Sequence, residues 1–313
     1  MRAVVDDRYG PPEVLRIAEV ARPAPAAGEV LVHVHASTAN QTDAHMRAGA
    51  TLIRLLTGIR RPRQRITGLD FAGVVEAVGE AVTEFKEGDQ VFGIRAGANA
   101  EYLAVREHRA IALMPAGLTF EGAAAVPDGA LAALAHLRRA HVGDRTRLLV
   151  YGASGACGSA AVQLGKVFGA RVTGVCSTAN VELVRSLGAD EVIDYTTSDW
   201  TRNGETYDVV LDAVGKHSFL KSRRSIRPGG MFVPTDRLIN LFWWGWTARI
   251  GSRRVAFSLP RVEQVDLRYI AELIEAGRYR PVIDRTYPLE RVVEAHRYVE
   301  SWRKRGSVVL KIG

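Results

Sequence analysis

Cysteine is almost missing from this 313-residue chain. The two thiols, Cys157 and Cys176, can supply neither a disulfide framework nor a cysteine-rich zinc lobe. Long apolar runs are lacking too. The strongest, beginning at Leu238 and carrying three of the five tryptophans (Trp243, Trp244, Trp246), is interrupted by Asn240, Gly245 and Arg249. It falls short of the roughly 20 apolar residues of a membrane span. It reads as a buried or subunit-facing segment, as an aromatic wall over a substrate pocket, or as a lid onto a membrane surface. No internal repeat or low-complexity tract is visible. The opening Met1-Arg2-Ala3-Val4-Val5-Asp6-Asp7 acquires charge too early for a signal peptide, so a cytoplasmic enzyme is expected. The composition, 47% hydrophobic and 24% charged, is that of a globular chain, and the length suggests two domains. Lys and Arg exceed Asp and Glu by 42 to 34, a net +8. That excess suits a phosphate-bearing ligand, and nucleic-acid affinity or simple solubility would also account for it.

Glycine is where the sequence becomes specific. An apolar run from Arg147 to Tyr151 leads into Gly152-Ala153-Ser154-Gly155-Ala156-Cys157-Gly158, and then into an Ala-rich helical segment ending near Gly169. Strand, tight turn and helix N-terminus in this order hold a dinucleotide pyrophosphate. Backbone must approach the phosphates closely, and the first N–H groups of the helix point at the anion.

Periodicity divides the chain around that turn. Up to about residue 115 it reads as short strands, such as Glu29 to Ala36, Leu69 to Val78, Val91 to Gly93 and Tyr102 to Val105. From Thr119 helical segments appear. Strands at Leu148–Tyr151, Val172–Cys176, Val192–Asp194, Val209–Asp212 and Met231–Val233 then alternate with them, which predicts right-handed crossovers and a parallel sheet. Helices over 263–277 and 290–302 and a strand over 307–312 are expected to return to the first domain. The expected division is residues 1–118 with 257–313, and residues 119–256.

Several stretches together resemble one family. They are Asn40-Gln41-Thr42-Asp43, the run from Gly68 to Gly79, the run from Phe85 to Gly93, Ala123-Ala124-Ala125-Val126-Pro127, the glycine turn, Ser186 to Asp190, and Leu211-Asp212-Ala213-Val214-Gly215. The chain is similar over nearly its whole length to zinc-free medium-chain dehydrogenases/reductases, the branch of NADPH:quinone oxidoreductase and enone reductases. The resemblance implies an α/β protein with a GroES-like, mostly β catalytic domain and a Rossmann doubly wound nucleotide domain. It also implies a homodimer joined through the nucleotide-domain sheets, NADPH lying between the domains, and hydride transfer to a hydrophobic, electrophilic quinone or α,β-unsaturated carbonyl. Zinc-dependent relatives carry Cys where this chain has Asn40 and Gly-His-Glu where it has Gly68-Leu69-Asp70. Catalytic zinc wants three protein ligands, and Asp70 alone cannot supply them, so no metal is expected. His33 and His35 share one strand face and could form half a metal site, or simply be a strand pair.

Within that resemblance Asn40 sits beside the cofactor's inner end, as a donor to a ribose or substrate oxygen, as a helix N-cap, or as both. His45 stands where relatives have Tyr or Lys and is a candidate proton donor, the alternative being a surface histidine beside Arg47. The turn Ala213-Val214-Gly215 is assigned to the cofactor. No Asp or Glu follows the strand at Val172–Cys176, where an NAD enzyme would place one against the ribose 2′-hydroxyl. Ser177 and Asn180 can donate to a 2′-phosphate there, and Tyr195 matches a family residue that reaches it. Relatives place Lys or Arg where Ala179 stands. Arg303, Lys304 and Arg305 either replace that charge or form a solvated helix end. Cys157 reads as a redox-sensitive thiol at a helix N-terminus or as a small packed residue.

Two stretches stay outside this scheme. Arg54, Arg60, Arg61, Arg63 and Arg65 surround Leu52, Ile53, Leu55, Leu56 and Ile59, which suits a cap on a pocket mouth, attraction of an acidic substrate, an anionic lipid contact or a solvated loop. The competing functions are an alcohol or aldehyde dehydrogenase of the same superfamily and a non-catalytic, RNA-associated NADPH-binding protein. No RNA-binding motif is present, and no specific nucleic-acid partner is expected.

Overall fold

The computed structural model describes residues 1–50, 54–55, 57–235, 239–257 and 263–312, the side chains of Ile239 and Leu241 excepted. Leu52, Ile53 and Leu56 of the arginine-rich stretch and Leu238 of the tryptophan segment lie outside these residues. The chain divides into two compact units, Met1–Asp128 with Val262–Gly313, and Gly129–Arg261.

The first unit begins with an antiparallel pair, β1 (Arg2–Asp6) and β2 (Leu15–Glu19). Its central strand is β3 (Glu29–Ala39), whose Val30, Val32 and Val34 alternate into the core. Helix α1 (Gln41–Ala48) follows at once, and then β4 (Asp70–Val78), β5 (Gln90–Ile94), β6 (Tyr102–Arg106) and β7 (Ile111–Leu113). Helix α2 (Phe120–Ala124) lies against β3 and β4. Its buried Ala123 and Ala124 therefore belong to the first unit, and the boundary falls at 128/129 rather than at the expected 118/119.

Helix α3 (Pro127–Arg139) leads into the second unit. There β8 (Arg147–Tyr151), α4 (Ala156–Val167), β9 (Arg171–Cys176), α5 (Val181–Ser186), β10 (Glu191–Asp194), β11 (Tyr207–Asp212), α6 (Phe219–Ser222), β12 (Ile226–Pro234), α7 (Ile239–Thr247) and β13 (Arg254–Val255) follow. The six strands form one sheet in the order β10-β9-β8-β11-β12-β13, parallel at every pairing. Strands covered on both sides need apolar residues along their length, as in Leu148-Leu149-Val150 and Val209-Val210-Leu211. The strand order reverses between β8 and β11, so the loops at their C-terminal ends diverge and leave a crevice between them.

The chain returns to the first unit through α8 (Gln264–Glu275), β14 (Ile283–Pro288), α9 (Val292–Glu300) and β15 (Ser307–Lys311). β15 runs parallel to β14 and antiparallel to β3, completing a seven-stranded sheet in which β6 pairs with the other end of β3. Among the described residues no helix is long and apolar enough to cross a membrane.

Candidate active site

In the second unit, β8 ends at Tyr151 and the chain turns through Gly152 at φ +80°. A Cβ on Gly152 would lie 1.9 Å from Val214 Cγ2, and one on Gly158 2.0 Å from the Gly152 carbonyl oxygen. The fold itself demands both glycines. Gly155 differs. Its φ of −78° suits any residue, and a Cβ there would meet nothing nearer than the Gly152 oxygen at 3.6 Å. As N-cap of α4 it also gives the helix no side-chain acceptor, which leaves the dipole's positive end to an external anion. Cys157 is half-buried in the first turn of α4, whereas Cys176 is buried and its thiol is pushed up to about 11 by burial.

The other nucleotide-binding candidates of this unit gather at the same ends of the strands. Asp212, fully buried, accepts N–H bonds from Val214 (3.2 Å) and Gly215 (2.9 Å) at one oxygen and from His217 (2.7 Å) at the other. It thereby shapes the turn Ala213-Val214-Gly215 that rests on Gly152. After β9, the Asn180 amide donates to Ser154 Oγ at 3.0 Å and to Ser177 Oγ at 3.2 Å. Each hydroxyl, having accepted, keeps its own proton to donate. Tyr195 is exposed at the end of β10, with its ring centroid 6.2 Å from that of Tyr151. The same strand brings a carboxylate that was not anticipated in this loop: Asp194 accepts from Thr178 Oγ1 at 2.6 Å. Bonds from Thr178 and Thr196 hold its pKa below the usual range.

In the first unit Asn40 is the N-cap of α1. Its Oδ1 accepts from the Asp43 N–H at 2.8 Å, and Asp43 Oδ2 accepts from the Asn40 N–H at 3.3 Å, a complete capping box. This leaves Nδ2 to donate, and one bond runs to Asp70 Oδ2 at 3.3 Å. Asp70 also accepts from Thr38 Oγ1 at 2.5 Å and from the Asp128 N–H at 2.9 Å. Burial, reinforced by Asp128, raises Asp70 to about 8. Burial raises Asp43 and Asp128 as well, so the cluster as a whole resists ionisation. Lys304 opposes the rise at Asp128, and its Nζ donates to the Gly306 carbonyl at 2.7 Å. Sequence reading missed Asp70 as the partner of Asn40, and Asp128 as the partner of Asp70, because they lie 30 and 58 residues away.

His45 is exposed, with Nε2 3.3 Å from Gln41 Nε2 and its ring 6.4 Å from that of Trp302. Arg303 and Arg305 are exposed in the turn after α9. The structure therefore groups Asn40, His45 and the basic run in one unit and the glycine turn, Ser177, Asn180, Tyr195 and 213–215 in the other. Arg47 is not an exposed companion of His45: it is buried, paired with Glu300 and bonded to the Gly10 carbonyl. His33 and His35 do share a face, where they stack on Tyr102 and Phe120 respectively. Among the described residues no three His, Cys, Asp or Glu are grouped to hold a metal ion.

A cavity of about 250 Å³ opens beside α1, with Tyr9, Met46, Ile66 and Leu69 in its wall. Asp6, Asp43, Arg47 and His296 also face it. His296 is wholly buried, neither of its ring nitrogens has a partner among the described residues, and burial with the nearby Arg47 charge lowers it to about 3. Asp6 Oδ1 likewise has no partner among the described residues, and burial raises Asp6 to about 6.

Residues 26–142 match the alcohol dehydrogenase GroES-like domain, and residues 187–310 match a domain described as zinc-binding dehydrogenase. The 2-methylene-furan-3-one reductase of Solanum lycopersicum is 34% identical, over 96% of this chain and 76% of its own length. The chloroplastic NADPH-dependent alkenal/one oxidoreductase of Arabidopsis thaliana is also 34% identical, over 99% and 79%. The solved quinone oxidoreductase of Coxiella burnetii superposes with a TM-score of 0.91 at 28% identity, covering 100% of this chain and 99% of that one. Similarity on this scale, with the glycine turn at the switch point of a six-stranded parallel sheet, identifies the chain as an oxidoreductase that belongs to the medium-chain dehydrogenases/reductases, in the quinone and enone oxidoreductase branch.

Proposed function

We propose that this enzyme uses NADPH to reduce a quinone or an α,β-unsaturated carbonyl, and does so without a metal. The observation that carries the reading is Gly155, a glycine that packing does not require, at an uncapped helix end. When bound, the cofactor supplies a hydride from C4 of its nicotinamide. The chain's own groups bind and orient it. Gly155 admits the pyrophosphate, and the Ser154 and Ser177 hydroxyls, aligned by Asn180, donate to phosphate oxygens. Asp194 in the same loop works against a 2′-phosphate, so the discrimination from NADH is expected to be modest. Asn40 presents its remaining N–H to a ribose or acceptor oxygen.

The residues do not fit zinc. Both oxygens of Asp70 are engaged, one by Thr38 and Asn40 and the other by the Asp128 N–H, and the raised pKa favours the protonated acid. Neutral Asn40 and Leu69 add no soft ligand. Without a Lewis acid the acceptor must spread negative charge itself, as a quinone or enone does and a simple ketone does not. The cavity beside α1 suits the apolar body of such a molecule.

Oxidation of NADPH and NADH followed at 340 nm with a quinone, an enone and a saturated ketone tests this. Turnover of the first two and not the third is expected; ketone reduction with stoichiometric zinc would overturn it. His45 is the proposed proton donor to the enolate. His45→Phe is expected to slow enone reduction at least about tenfold. An unchanged rate would remove His45 from the chemistry. A homodimer and a cytoplasmic location complete the proposal, the first testable by sedimentation.

A further inference from the structure

The charge of this protein is not spread over it. Of its 42 Lys and Arg residues, ten fall within residues 213–261, together with only one of the 34 acids, Asp236. That segment carries +9, and the other 264 residues together carry −1. The same segment contains α7. The inner side of this helix is held in place: Trp243 packs on Phe219, Thr247 Oγ1 donates to the Trp243 carbonyl at 2.7 Å, and the Val255 N–H donates to Thr247 Oγ1 at 3.0 Å. Its other side is bare. Phe242, Trp244 and Trp246 are 56%, 46% and 50% exposed, with Phe242 and Trp246 stacked one turn apart and Ile250 exposed beyond them. Such rings in water are costly, since apolar surface left in solvent forgoes the gain of burial.

The contact between Phe219 and Trp243 brings α6 beside α7. Around that contact α6 and its continuation expose Leu220, Lys221, Arg223 and Arg224, and the turn after α7 exposes Arg249. None of these four cations is matched by a carboxylate among the described residues. Aromatic rings flanked by unneutralised arginines are what the headgroup boundary of an anionic bilayer accommodates: rings at the acyl edge, cations at the phosphates. A second copy of the chain is the competing occupant, since the proposed homodimer joins through the same unit, and the state of the dimer is read alongside vesicle binding.

We infer that α7 and the cations beside it form a docking face for a membrane surface rich in anionic phospholipid. It is a peripheral contact, independent of the cofactor turn. The full-length protein should float with phosphatidylcholine vesicles containing 30% phosphatidylglycerol and stay behind with phosphatidylcholine alone. Binding should fade at high salt, with tryptophan emission shifting to the blue when bound. Trp246→Ser with Phe242→Ser, and separately Arg223→Glu with Arg224→Glu, are each expected to weaken binding about tenfold or more while leaving NADPH affinity unchanged. Three results would overturn the proposal: no flotation with the anionic vesicles, flotation equal in both variants, or loss of dimer as the sole effect of the aromatic variant. RNA binding that exceeds vesicle binding and is lost with the same arginines would overturn it in favour of a nucleic-acid surface.

Discussion

Replacing Gly155 with valine is expected to weaken NADPH binding by more than about 100-fold, or about 2.8 kcal/mol at 1.4 kcal/mol per decade, and to leave the melting temperature within a degree or two of the wild type. The backbone at Gly155 is extended (φ −78°, ψ 175°), a conformation valine favours, and no protein atom stands in the way of its Cβ. The added side chain is therefore expected to act on a ligand lying against the turn. Gly158→Ala is the contrasting variant: its Cβ would press on the Gly152 carbonyl, so the unit itself must give way and the melting temperature must fall. Calorimetric titration and thermal melts on both proteins separate the two roles. If Gly155→Val binds NADPH as tightly as the wild type, the pyrophosphate does not sit on this turn.

The second large effect concerns pH. Stability should decline from pH 7 to pH 8, and Asp70→Asn should remove most of that decline, gaining about 2 kcal/mol at pH 8. An unfolded aspartate titrates near 3.9, whereas burial and Asp128 raise Asp70 to about 8 in the fold. Between those values the native state keeps a proton that the unfolded chain has released, so each rise in pH favours unfolding. Stability tied to this group is full below about pH 4 and is lost as pH climbs through about 8. The expected gain is less than half of what about 1.36 kcal/mol per unit would give over the whole shift, because Asp43 and Asp128 share the charge. Two buried histidines act in the opposite sense. His136 and His296 are lowered to about 4 and about 3 by burial, and they cost stability only as pH falls below about 6.5. The interval from pH 7 to 8 therefore isolates the acid. Asp70→Asn leaves one acceptor oxygen for three donors, and with that oxygen on the Asp128 N–H Asn40 Nδ2 loses its bond, so turnover should drop several-fold, roughly the worth of one hydrogen bond. Urea melts at pH 6, 7 and 8 decide the matter: a wild type equally stable at pH 7 and 8 would mean that the acid is already ionised.

The nucleotide unit was legible because its signals are local. Each strand there is a short apolar run, each crossover is a helix, and the turn from Gly152 to Gly158 is contiguous. The edge strand β14 escaped notice because Ile283-Asp284-Arg285-Thr286-Tyr287-Pro288 is mostly exposed and has no apolar alternation. β15 holds it in the sheet by backbone bonds, which leave no mark on composition. The tryptophan segment hid its helix for a related reason: with apolar residues all round, no stripe distinguishes α7 from a strand. At the site, Asn40 was recognisable as a cap from its own type and position. Its bond to Asp70 was not, because it depends on β3 and β4 pairing with Ser37 opposite Phe71. Asp194 escaped for the same reason, since the parallel register that sets it opposite Cys176 is a tertiary fact.

The placement of β15 constrains how the molecule is made. Residues 129–261 are a continuous stretch and can assemble as they leave the ribosome. The first unit cannot, because the strand between β14 and β3 is drawn from residues 307–311, synthesised long after β3 itself. Through most of translation one margin of β3 therefore waits without its neighbour, a row of open amides and carbonyls beside water. Nascent chains stalled before residue 307 should be the species that chaperones capture and proteases cut.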